Sequence, residues 1–107
     1  EVCEGSDLSA EIEYARIPLV KNLSYYTGKM IYPDNTMRNW QSYDKKVVGI
    51  GAESLLTLCD PQTSGGLLVC VDKTQATAFE NFSQSKGFSL KPIGRLQEKG
   101  EVTIKII

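Results

Sequence analysis

Histidine is missing from all 107 residues of this sequence. Its absence removes the commonest general base and the commonest metal ligand together. Cysteine is scarce: Cys3, Cys59 and Cys70 form no CxxC pair and leave an odd thiol. That pattern fits a reducing cytoplasm better than a disulfide framework. Neither sign of charge dominates, since 12 basic residues stand against 13 acidic ones for a net charge of -1. Such balance lacks the electrostatic footprint of a nucleic-acid binder or of a protein held on an anionic membrane. No apolar run approaches the length of a membrane span, and Glu1-Val2-Cys3-Glu4 does not read as a signal peptide. Carboxylates are not gathered: Glu11 and Glu13 share a strand face beside no other candidate ligand, so no metal site is expected. With no basic stripe beside them, Tyr25, Tyr26, Tyr32, Trp40 and Tyr43 read as core or subunit contacts rather than as a base-stacking platform.

What remains is a chain with 41% hydrophobic residues, enough for one modest core, so residues 1–107 are expected to form a single domain. It starts without methionine and runs almost directly into a strand, which reads as a piece of a longer protein. Gly5-Ser6-Asp7 is a turn cluster. Leu8, Ala10, Ile12 and Tyr14 then alternate with polar residues, the period of a half-buried strand. Pro18 can open a helix with Leu19, Val20, Leu23 and Tyr26 or Thr27 on its inner stripe and Gly28 as its stop. Residues 29–51 are irregular apart from a turn at Pro33-Asp34-Asn35-Thr36 and a short strand or connector near Val47–Ile50.

The second half is organised around Asp60-Pro61-Gln62-Thr63-Ser64-Gly65-Gly66-Leu67-Leu68. Ahead of it, Ala52, Leu55, Leu56 and Cys59 fall at helical spacing, and Asp60-Pro61 ends that helix. Behind it, Leu67–Val71 is wholly apolar, as expected of a strand buried on both faces. The two glycines allow positive φ or a close backbone approach. Thr74 or Asp72 can cap a helix over 75–86 with Ala76, Phe79 and Phe82 inward and Gly87 as its stop. Leu90–Leu96 reads as a strand confined to an edge by Pro92. A hairpin turn at Glu98-Lys99-Gly100 then leads to a last strand through Val102, Ile104 and Ile106. The order predicts an α+β fold, helices packed on one face of a mostly antiparallel or mixed sheet.

The nonapeptide at 60–68 resembles the signature in the C-terminal domain of selenide, water dikinases (selenophosphate synthetases), members of the aminoimidazole-ribonucleotide-synthetase-like superfamily. The order strand, Ile17-Pro18-Leu19, helix is similar too. Where that family usually carries Pro-Gly-Gly-Thr and then Arg-Asn, this chain has Pro33-Asp34-Asn35-Thr36 and then Arg38-Asn39. The resemblance implies a C-terminal domain whose sheet is incomplete on its N-terminal side, with an open edge that invites pairing. It implies a parent enzyme, a cytoplasmic homodimer, that turns selenide, ATP and water into selenophosphate, AMP and phosphate. ATP and Mg²⁺ would be held largely by an N-terminal ATP-binding domain of the same protein. The present residues would help to wall that site, with no catalytic residue and no activity of their own. The family's reactive cysteine or selenocysteine lies near the start of the full protein, so neither Cys59 nor Cys70 inherits that role. Two rivals stay open: another member of the superfamily, such as a purine-biosynthesis synthetase or a thiamin-phosphate kinase, and a stand-alone α+β interaction module.

Two groups of residues are candidates for a phosphate-proximal loop. Thr63, Ser64, Gly65 and Gly66 can offer backbone N–H groups and hydroxyls to an anion. No helix follows, so the alternative is a tight entry into the sheet with Asp60 and Gln62 tying the loop down. Arg38 and Asn39 follow a turn from which a guanidinium can reach a phosphate, the alternative being a surface ion pair with Asp34 or Asp44. Cys59 and Cys70 are expected to be buried and inert.

Overall fold

The computed structural model describes Glu1–Ile107. It resolves into two compact units, Glu1–Gln62 with Ile93–Ile107, and Thr63–Pro92. The fold is α+β around one mixed sheet of four strands in the order β2-β4-β1-β3, all within the first unit.

Strand β1 (Leu8–Ile12) is interior to that sheet. It pairs antiparallel with β3 (Gly94–Glu98) and parallel with β4 (Ile104–Ile106), which pairs parallel with the short β2 (Val47–Val48). The register puts Ala10 opposite both Leu96 and Ile104, and Ile12 opposite Ile106. Directly paired residues share a face, so these apolar side chains form one side of the sheet. Ala10 and Ile106 are buried there. On the other face Glu11 lies 2.7 Å from the Arg95 guanidinium and 4.0 Å from the Lys105 ammonium. The cations are largely exposed, so these pairs fix register more than they stabilise.

The hairpin expected at Glu98–Gly100 is overturned, because β3 and β4 flank β1 and do not pair with each other. Ser9 explains the crossover. Its buried hydroxyl donates to the Val102 carbonyl at 2.7 Å and accepts from the Gly100 N–H at 3.0 Å. The connection is thereby drawn over the start of β1. Ser9 is also the exception to the apolar-in, polar-out alternation.

Of the turn cluster expected at Gly5-Ser6-Asp7, Gly5 and Ser6 close a short helix, α1 (Val2–Ser6), and Asp7 makes the turn that ends it at φ 56°. Asp tolerates that left-handed conformation better than most residues, and Cys3 is the buried residue of the helix. The Lys46 ammonium, 2.5 Å away, holds the exposed Glu4 carboxyl below its ordinary value. The helix expected from Pro18 is shorter: α2 spans Leu23–Thr27, because Asn22 at φ 67° breaks the path, and Leu19 and Val20 are exposed. Gly28 ends it as expected.

Residues 29–51 are more ordered than their sequence suggested. Helix α3 (Asn35–Tyr43) lies there, its first turn closed by the Thr36 N–H to Pro33 carbonyl bond at 3.1 Å. Its inner side joins buried Thr36 and half-buried Asn39 to the half-buried Trp40, too few apolar residues to form a stripe. In α4 (Ala52–Leu58) the deepest residues are Ser54 and Thr57, while Ala52 is exposed. The Ser54 hydroxyl accepts from the Gly51 N–H at 2.8 Å, and Thr57 meets the Tyr14 hydroxyl at 2.9 Å. Of the expected inner stripe, Leu55, Leu56 and Cys59 are half-buried.

In the second unit Asp72 accepts from the Thr74 N–H at 2.8 Å ahead of α5 (Ala76–Ser85). Gly87 at φ 84° closes that helix, with its N–H to Gln84 and the Phe88 N–H to Ser83. The inner stripe is Ala76, Phe79 and Ser83, and Phe82 points outward toward Lys86. The strand expected at Leu67–Val71 does not form. A fully apolar strand needs hydrogen-bonded neighbours and cover on both faces. Here none of the backbone groups of Leu67–Val71 is paired, and Leu67 is 93% exposed.

Thr36 Oγ1 is buried without a hydrogen-bond partner. An unsatisfied buried hydroxyl costs about 1–3 kcal/mol, so Thr36→Val, similar in shape, should raise stability by about 1 kcal/mol in urea unfolding; a loss would show that the hydroxyl is partnered. Gly49 sits at φ 81°, and a Cβ there would collide with the Ile106 carbonyl, whereas one at Gly66 meets nothing within 4 Å. Gly49→Ala should therefore lose about 2 kcal/mol or more and Gly66→Ala less than about 0.5, measured by the same unfolding curves.

Candidate functional site

The residues singled out from the sequence fall in both compact units: Arg38 and Asn39 in the first, Thr63–Gly66 in the second. Each group is built differently.

Arg38 and Asn39 lie on α3, and their roles diverge. Asn39 donates its side-chain N–H to the Cys59 carbonyl at 2.9 Å. That bond ties α3 to the last residue before Asp60 and satisfies one of the carbonyls left open at the end of α4. Asn39 thus holds the end of α4 against α3. Arg38 is exposed and engages neither Asp34 nor Asp44 in a salt bridge, against the surface-pair alternative. Its guanidinium is free to meet an anion from solution.

Thr63-Ser64-Gly65-Gly66 is an exposed bend. Neither hydroxyl is hydrogen-bonded, and Asp60 and Gln62 make no side-chain hydrogen bond that ties the loop down. Gly66 adopts no positive φ and approaches no neighbouring atom, so the close approach expected of the diglycine is not made there. The loop presents donors to solvent without a wall around them. A small cleft of about 100 Å³ lies elsewhere in the same unit, lined by Glu80, Gln84, Phe88 and Lys91 among others, and includes none of the candidate residues.

The three thiols differ. Cys3 is buried, Cys59 half-buried and Cys70 exposed. Burial pushes the Cys59 thiol up, so it resists forming thiolate, as expected. The expected burial of Cys70 is overturned, because the strand that would have enclosed it does not form. No group of three or more His, Cys, Asp or Glu side chains is gathered in the chain.

Sequence reasoning missed the Asn39–Cys59 bond and the Tyr14–Thr57 contact. Both join residues far apart in the chain, and no local pattern signals them. In dilute solution at pH 8, iodoacetamide should label Cys70 at least about tenfold faster than Cys59 or Cys3, read by peptide mass spectrometry. Equal rates would contradict the burial order.

Residues 1–107 match the family model described as AIR synthase related protein, C-terminal domain. Among curated proteins, the chain is similar to a selenide, water dikinase of Aeromonas hydrophila, 38% identical over 108 residues, covering 100% of this chain and 31% of that protein. It is 36% identical to one of Pseudomonas aeruginosa and 35% identical to one of a Sulfurovum species, with the same coverage in both cases. The chain spans about a third of the length of the curated relatives it matches. Matched along its whole length, the chain belongs to the family of AIR synthase related proteins and corresponds to their C-terminal domain.

Proposed function

We propose that this chain acts as the C-terminal domain of a selenide, water dikinase, an enzyme that forms selenophosphate, AMP and phosphate from selenide, ATP and water. The observation that carries the reading is similarity over the whole chain to several proteins of that name. The loop at 60–68 supports it. In this reading the groups that hold ATP and Mg²⁺ belong to the part of the relatives that this chain does not cover, in an N-terminal domain that also pairs two subunits. The present domain walls the site and has no turnover alone. Its contribution is electrostatic and geometric. Arg38 offers a bidentate cation to phosphate oxygens, the Thr63–Gly66 bend offers N–H and O–H donors, and Asn39 holds the chain leading into that bend.

A chimera tests this directly. The matching C-terminal segment of the Aeromonas hydrophila enzyme is replaced by this chain, and AMP release is followed with and without selenide. Selenide-dependent AMP is expected from the chimera, and none above background from the isolated chain given ATP, Mg²⁺ and selenide. Arg38→Ala in the chimera should lower kcat/KM for ATP about tenfold, the loss of one charge-assisted contact. A folded chimera with no selenide-dependent AMP would reject the assignment; turnover by the isolated chain would reject the wall role.

A further inference from the structure

We draw no further inference here: the strongest candidate, the exposed apolar run Leu67–Val71 of the second unit, carries nothing because nothing in the structure shows what covers it.

Discussion

Ser9 holds the path of the chain through its sheet. Fully within the protein at the start of the interior strand, its hydroxyl is both donor to Val102 and acceptor from Gly100. Those two bonds carry the segment after β3 over β1 and deliver β4 to the far side. The backbone pairing then continues past the strands, from the Ala10 N–H to Thr103, from the Ile107 N–H to Ile12 and from the Tyr14 N–H to Ile107. A buried serine hydroxyl is costly unless satisfied, and here it is satisfied twice.

The helices of the first unit are held by a related device. Their deepest residues are hydroxyl-bearing: Thr27 on α2, Thr36 on α3, Ser54 and Thr57 on α4. Thr27 and Thr57 bond back to carbonyls of the preceding turn, Ser54 caps Gly51, and Thr57 reaches Tyr14. Helices packed through small polar residues bury little apolar area, which leaves Tyr25, Tyr26 and Met30 at the surface. Such packing depends on completed hydrogen bonds more than on burial, and Thr36 is the place where completion fails.

The candidate site was legible as a motif and not as a geometry. The bend at Thr63–Gly66 and the helix endings on either side of it, Cys59 before Asp60-Pro61 and the Asp72 cap ahead of α5, follow from proline, glycine and capping chemistry that acts within a few residues. The division of labour between Arg38, free at the surface, and Asn39, bonded to the Cys59 carbonyl, depends on a contact twenty residues away in the chain. Neighbouring letters carry no trace of it.

Local chemistry therefore decided the class of fold, the strands at Leu8–Ile12 and Ile104–Ile106, the stops at Gly28 and Gly87, and the family signature, because each depends on dihedral preference or on short-period patterning. Tertiary structure alone decided the strand order, the deep hydroxyls of α3 and α4, the short α2 and the unpaired state of Leu67–Val71. Strand pairing and hydroxyl bonding are settled by which backbone groups find partners across the fold. An apolar run specifies that it should be covered, and leaves its cover to be set by the partner strands it meets.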